Sequence, residues 1–246
     1  MTFVEIIQHD YSGDSIPGSC PETVQVAIFD PPYNIGKDYE DDDTGDKLDP
    51  REYRRFMMNA LAQVRDTLVD GGLLFYWCNA DQGDDVWAWG REEGFELLWG
   101  TPIIWWERFS QYQKKRFTQD FRFIFPFQKP GPLVFNPEET LIPSERMKLG
   151  DKRARDSKGR VPGRVWTDRR LQGTAKARVP WHPLQLPPEQ LSRIIRGFSN
   201  PGDVVLDAFA GSGSAGVVAK NHGRSFVGVD KSPTYCRLIR ERLEDS

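Results

Sequence analysis

Short runs of β-branched and apolar residues alternate along this chain with stretches in which apolar residues recur every three or four positions. Such alternation leaves little choice but an α/β fold: a doubly wound, mostly parallel sheet whose strands are joined by helices packed on both faces. Residues 2–8 and 24–29 read as the first two strands. At residues 49–52, Asp-Pro-Arg-Glu supplies an N-cap, a proline at the first helical position and a capping-box glutamate. Tyr53, Phe56, Met57, Ala60, Leu61, Val64 and Leu68 follow as one apolar stripe, which Gly71-Gly72 is expected to stop before a strand at 73–78. Residues 81–93 read as a weaker helix, and 95–106 and 117–127 as aromatic-rich strands. From Pro188 a helix carries Leu191, Ile194, Ile195 and Phe198. A strand at 204–206, a glycine-rich turn, a helix, a strand at 226–229 and a last helix from Pro233 complete the pattern. Residues 130–180 differ: poor in aliphatics, rich in Pro, Gly and Arg and without a period, they read as an insertion. A chain of 246 residues holds one well-filled core, so a single domain over 1–246 with an inserted segment at 131–180 is expected.

Two strand ends carry chemistry. The first is Asp30-Pro31-Pro32-Tyr33, directly after the strand at 24–29, at the edge where open α/β sheets bind ligands. Two prolines remove backbone donors and stiffen the turn, leaving carbonyls beside a carboxylate and an aromatic ring. An exocyclic amine on a base is a poor nucleophile because its lone pair is delocalised into the ring. Asp30 and the Pro31 carbonyl can each accept one of its N–H groups and favour the pyramidal form, with Tyr33 stacking on the extruded base. An Asp-Pro turn alone is a common structural element; the whole tetrad after a buried strand is what gives it weight. The second motif is 207–214, Asp-Ala-Phe-Ala-Gly-Ser-Gly-Ser, after the strand at 204–206. Gly211, Gly213 and Gly216 satisfy the G-x-G-x-x-G pattern of backbone that approaches a ligand at a helix N-terminus. Asp230, at the end of the next strand, stands near the spacing at which a carboxylate reaches ribose hydroxyls. Too few residues follow for a second nucleotide-binding half, so a single-nucleoside cofactor fits better than a dinucleotide.

Together these residues resemble the permuted, or beta, class of S-adenosylmethionine (SAM)-dependent DNA amino-methyltransferases, in which the catalytic tetrad precedes the glycine motif. The stretch 30–36 is similar to the family's catalytic motif, 71–77 to its following strand, and 182–187, His-Pro-Leu-Gln-Leu-Pro, to the segment before the cofactor strand. The resemblance implies a Rossmann-like methyltransferase fold with permuted motif order. It assigns catalysis to Asp30, Pro31, Pro32 and Tyr33, and SAM binding to His182, Gln185, Asp207, Phe209, Gly211, Gly213, Ser214 and Asp230, with Phe209 lying against the cofactor and Asp230 holding its ribose. The implied reaction is methylation of adenine N6 on a flipped base in duplex DNA, as in site-specific and restriction-modification enzymes; cytosine N4 is the alternative, and Asp at the first tetrad position leans to adenine. One departure stands out: Leu186 occupies a position where the family usually has lysine.

Charge distribution fits a polyanionic partner. The net charge is −3, but residues 144–178 contain 12 Lys or Arg against 4 acids, an excess of eight positive charges, which leaves −11 on the rest. This stretch lies where the family places its target-recognition segment. Arg153, Arg155, Arg160, Arg164, Arg169 and Arg170 are therefore candidate DNA contacts, and Lys114, Lys115 and Arg116 extend the track. The acidic run 40–43 is read as a solvated loop, and Trp77, Trp87, Trp99, Trp105 and Trp106 as core before stacking residues. Cys20, Cys78 and Cys236 lack metal or disulfide spacing and are expected as free thiols; no metal is expected. No residue before them is proline, which argues against a cytosine-C5 nucleophile. No apolar run approaches a membrane span, and the first five residues lack signal-peptide character, so a cytoplasmic location without membrane partner is expected. The oligomeric state is open, a homodimer being compatible. An NAD-dependent oxidoreductase would explain the glycines but not the tetrad, and a catalytically silent DNA-binding module would leave the complete motif set without use.

Overall fold

The computed structural model describes residues 2–13, 15–18, 23–37, 46–108, 112–115, 117–171 and 177–246. In chain order the main elements are β1 (Val4–Gln8), β2 (Val24–Phe29), α1 (Pro50–Thr67), β3 (Leu68–Asn79), α2 (Gly83–Glu92), β4 (Glu96–Leu97), β5 (Ile103–Trp106), β6 (Phe121–Gln128), α3 (Glu145–Lys148), β7 (Val165–Trp166), α4 (Pro188–Phe198), β8 (Val204–Asp207), α5 (Ser214–Asn221), β9 (Ser225–Asp230) and α6 (Pro233–Glu244). Among the described residues the strands form one nine-stranded sheet, ordered β1-β9-β8-β2-β3-β6-β5-β7, with β4 pairing to β6. From β1 to β3 all pairings are parallel; β6 runs antiparallel to β3 and β5, and β7 is parallel to β5. The expected α/β, mostly parallel, doubly wound architecture is therefore present.

Period-two alternation sorts the central strands between two cores. Val26 and Ile28 of β2 with Leu73, Phe75 and Trp77 of β3 face one side, where α4, α5 and α6 supply Leu191, Ile194, Ala215, Ile239 and others. Ala27 and Phe29 with Leu74, Tyr76 and Cys78 face the other, covered by Met57, Ala60, Leu61 and Val64 of α1 and by Val86 and Trp89 of α2. Helix α1 starts where its sequence says: Asp49 caps it, accepting from Arg51 N, with Pro50 at the first position. Trp77 and Trp105 are fully buried as expected, but the core placement expected for Trp87, Trp99 and Trp106 is overturned: all three are exposed. Cys78 and Cys236 are buried free thiols; Cys20 and the acidic run 40–43 lie outside the described residues. Among the described residues no helix is long and apolar enough to cross a membrane, and no cluster of ligating side chains could hold a metal.

Three expected element boundaries are also corrected. Helix α1 ends at Thr67, before Gly71, because Leu68 already takes extended backbone and pairs with Val24. Gly71-Gly72 then sits inside β3 as an irregularity exchanging hydrogen bonds with Lys129; a Cβ on Gly71, which has φ +80°, would fall 1.9 Å from the Pro132 carbonyl oxygen. The strand expected over 95–106 is broken by a 3₁₀ turn, Leu98–Gly100, in which Trp99 adopts φ +64°, leaving only Glu96–Leu97 and Ile103–Trp106 paired. The strand expected from 117 begins at Phe121, and Phe117 is fully exposed.

Candidate active site

Because β1, β9, β8 and β2 are parallel neighbours, the turns after Gln8, Asp230, Asp207 and Phe29 open on one edge of the sheet. They surround a cavity of about 550 Å³, a size suited to a small-molecule ligand, into which α1 and the 182–186 segment also project. The two motifs, far apart in the chain, end adjacent strands there.

The tetrad leaves β2 at Asp30. Tyr33 Oη donates to Asp30 Oδ1 at 2.6 Å, and Arg122 Nη1 of β6 donates to Tyr33 Oη at 3.1 Å. The Arg122 guanidinium also lies over the Tyr33 ring, 5.0 Å from its centroid. The Pro32 carbonyl accepts from Tyr53 Oη and the Tyr33 carbonyl from Gln82 Nε2, each at 2.9 Å. Asn34 follows in the left-handed region, φ +58°, and the buried Asp46 carboxylate gathers the backbone N–H groups of Asn34, Ile35 and Lys37. The turn is thus fixed from both sides. Burial raises the Asp30 carboxyl above the ordinary range, with Arg122 and the Tyr33 hydroxyl pulling the other way. Burial and the neighbouring Asp30 push the Tyr33 phenol well up, so it remains a donor.

The glycine turn is held by backbone groups. Asp230 Oδ2 accepts from Gly211 N at 2.8 Å and its Oδ1 from Ser232 N at 2.9 Å; Asp207 Oδ1 accepts from Phe209 N at 3.3 Å. Gly213 caps α5 with φ +74°. Burial, then the charges of Asp30 and Asp230, lift Asp207 to about 8, the Phe209 N–H opposing; burial likewise raises Asp230. Phe209 lines the cavity and packs against Phe29 and Tyr11, at 5.0 and 5.3 Å between centroids. His182 Nδ1 pairs with the Leu184 carbonyl, and burial lowers its pKa to about 4, so the ring is neutral. Gln185 Oε1 accepts from Val179 N and its Nε2 donates to Ser214 Oγ. Leu186 packs in the core and lines the cavity with an apolar side chain, so it makes no polar contact where the family usually has lysine.

Three residues here escape sequence reading. Tyr11, after β1, is buried in the cavity lining with its hydroxyl unpaired among the described residues, and burial, then the charges of Asp207 and Asp230, raises its pKa. Arg122 and Glu107 come from β6 and the end of β5. Nothing local marks any of them; only strand pairing brings them in.

The basic insertion divides in two. Its first part packs on the C-terminal turn of α4: Phe135 stacks on Phe198, Asn136 Nδ2 donates to the Arg196 and Ser199 carbonyls, and Glu139 pairs with Arg196. Strand β7 lies four strands from β2, about 19 Å away at ordinary strand spacing. Arg155 and Arg160 are exposed, Arg153 pairs with Asp151, and Arg164 binds the Trp99 carbonyl and Thr101; none lines the cavity. The second part returns toward the tetrad. Asp168 is gripped by Arg193 and its carbonyl accepts from Trp105 Nε1, Arg169 is exposed, and Arg170 turns inward onto Glu107 instead of outward. Lys114 and Lys115 are exposed on the β5–β6 connection, at the same end of the sheet as the tetrad, and Arg116 lies outside the described residues.

The family model for N6/N4 methyltransferases, described as DNA methylase, matches residues 24–241, a span containing both motifs. The chain belongs to this DNA methylase family. Among its relatives, the Type II methyltransferase M.HpaI of Haemophilus parainfluenzae is 28% identical over 90% of this chain and 68% of its own. The DNA adenine methyltransferase YhdJ of Escherichia coli K12 is 29% identical over 91% and 77%. Among solved structures, the M1.HpyAVI–SAM complex superposes with a TM-score of 0.61 at 20% identity, covering 98% of this chain and all of that one, which shows the shared methyltransferase fold. SAM-dependent DNA methylation is therefore the activity of this DNA methylase. The cavity fits the donor: nucleoside-sized, with an unpaired buried hydroxyl on Tyr11 and three crowded carboxylates, Asp30, Asp207 and Asp230, whose raised proton affinities a cationic ligand would relieve.

Proposed function

We propose that this methylase acts on adenine N6 at a specific DNA sequence, with the target base extruded into the cavity beside Asp30. The observation that carries the reading is the acceptor pair at the tetrad. The Pro32 and Tyr33 carbonyls are already engaged, while among the described residues no hydrogen bond ends on the Pro31 carbonyl; Asp30 lines the same cavity. Asp30 and Pro31 would each accept one amino N–H, steering the nitrogen lone pair out of the ring system. SAM supplies an electrophilic methyl carbon on a sulfonium. An amine that takes the methyl group sheds one proton, for which Asp30, more basic than an ordinary carboxylate, would be the acceptor. Tyr33 lines the same cavity and would stack on the base from its place beside Arg122.

His182, Gln185, Asp207, Phe209, Gly211, Gly213, Ser214 and Asp230 would hold SAM, with Asp230 on the ribose and Phe209 against the cofactor; all but Gly213 line the cavity. The name of YhdJ, an adenine methyltransferase, supports the choice of base, and those of the Type II relatives support sequence-specific methylation alongside restriction. Arg153 to Arg164, Arg169, Lys114 and Lys115 would contact DNA outside the cleft, leaving Arg170 an internal role. Cytosine N4 is the second reading because the same acceptor pair serves it. Incubating the protein with SAM and plasmid DNA from a methylation-deficient host, then analysing nucleosides by mass spectrometry, is expected to give N6-methyladenine. N4-methylcytosine would establish the second reading, and neither product would overturn both.

A further inference from the structure

Behind Asp30 lies a buried polar chain that motif reading leaves unused. Tyr33 Oη bridges Asp30 to Arg122, and Arg122 Nε meets Glu107 Oε1 at 3.1 Å. Arg170 Nε, from the inserted segment, meets the same Glu107 oxygen at 3.2 Å. The Arg122 and Glu107 side chains are 13% and 8% exposed. Both Glu107 contacts are at ion-pair distance without an aligned N–H, so the link is electrostatic rather than a directed hydrogen bond. Arg122 is pinned further by the Trp105 ring, 5.7 Å away, and Trp105 is in turn tied to the Asp168 carbonyl. Asp168 is held bidentately by Arg193 of α4, so Arg170 is presented to Glu107 from a fixed segment.

We propose that Arg122 is a positioning residue which sets the orientation and charge of the catalytic carboxylate through Tyr33, and that Glu107, clamped by Arg170 of the inserted segment, tunes it. This rests on the assignment of Asp30 as the amine acceptor. A buried ion network is costly to assemble, and removing one member leaves uncompensated charge, so the residues around Asp30 act on it with opposite signs. Arg122, Arg170 and the Tyr33 hydroxyl favour the ionised carboxylate, whereas Glu107 opposes it. Asp207 on β8 and Cys78 on β3 complete the titratable groups that feel Asp30. The segment expected to read DNA is thereby joined to the catalytic carboxylate through protein atoms alone.

The test is the pH profile of kcat, measured with SAM and plasmid DNA from a methylation-deficient host, together with SAM titration of the same variants. Arg122→Met is expected to lower kcat at neutral pH by roughly 10- to 100-fold and to move the acidic limb upward by about one pH unit, with SAM affinity unchanged. Arg122→Lys should restore the limb. Glu107→Gln should move it downward, a shift of opposite sign that a merely structural role would not produce. Shifts of the same sign in Arg122→Met and Glu107→Gln, or unmoved limbs in both, overturn the proposal. Should Arg122→Met fail to fold, the Glu107→Gln shift decides alone. Asp30→Asn, assayed alongside, separates the two readings: retained turnover there removes the amine-acceptor assignment itself, whereas a dead Asp30→Asn with unmoved limbs elsewhere removes only the role of Arg122.

Discussion

The turns after β2 and β8 leave neighbouring strands at the same edge of one sheet, yet their carboxylates are held by different means. Asp30 is held by side chains: the Tyr33 hydroxyl, and behind it Arg122, 89 residues further along the chain. Asp207 and Asp230 are held by backbone N–H groups of Phe209, Gly211 and Ser232, each within 19 residues. A backbone cradle is local, rigid and insensitive to most substitutions, which suits a cofactor bound the same way in every cycle. A side-chain cradle can be tuned by the groups behind it, which suits a carboxylate whose proton affinity bears on the reaction.

Substitutions at the two turns should therefore separate turnover from binding. The largest effect is expected for Asp30→Ala, which should lower single-turnover methyl transfer by about 10³-fold or more while leaving the SAM dissociation constant within a few-fold. Equal losses in both would erase the division. Next, Asp230→Ala should weaken SAM roughly 10- to 100-fold by calorimetric titration, with kcat at saturating SAM little altered. Gly211→Ala tests the backbone cradle itself: φ is +44° and the new Cβ would lie 2.7 Å from His182 Nε2, so a loss of about 1–3 kcal/mol in stability, read by denaturant unfolding, should come with weaker SAM binding. The smallest effect on activity accompanies a pH slope of stability. Asp207 keeps its proton to about 8 in the folded protein but loses it near 4 when unfolded. The folded state therefore binds the extra proton between those values, and stability without SAM should decline as pH rises from about 4 to about 8. Asp207→Asn should flatten that decline, read as Tm by calorimetry at several pH values.

The same contrast explains what the sequence reveals. The strand at 24–29 and the helix start at Asp49 are legible to the residue because alternation and capping are local signals. The glycine turn and Asp230 are legible because a backbone cradle needs glycines and an acid at short, fixed spacing. Tyr11, Arg122 and Glu107 are not, since they reach the site only through the β1–β9 and β3–β6–β5 pairings. Gly71-Gly72 resembles a helix stop because the glycine demanded by a close backbone approach looks the same in sequence as one demanded by a C-cap. The basic stretch 144–178 reads as one surface because charge can be counted without knowing direction; the structure turns Arg170 inward and sets Arg164 near the far sheet edge.

That close approach at Gly71 has a bearing on how such enzymes diversify. A Cβ on Gly131 would fall 2.3 Å from Gly71 N, so at this crossing the inserted segment departs from the sheet through a joint with no room for side chains on either partner. A joint so tight fixes the point and angle of departure whatever follows it. Changes confined to the residues between this joint and Asp168, where the segment is tied back to Arg193 and Trp105, would leave the strands that carry Asp30 and Asp207 and the Arg170–Glu107 contact in place, so new sequence preferences could be grafted there onto an unchanged catalytic frame.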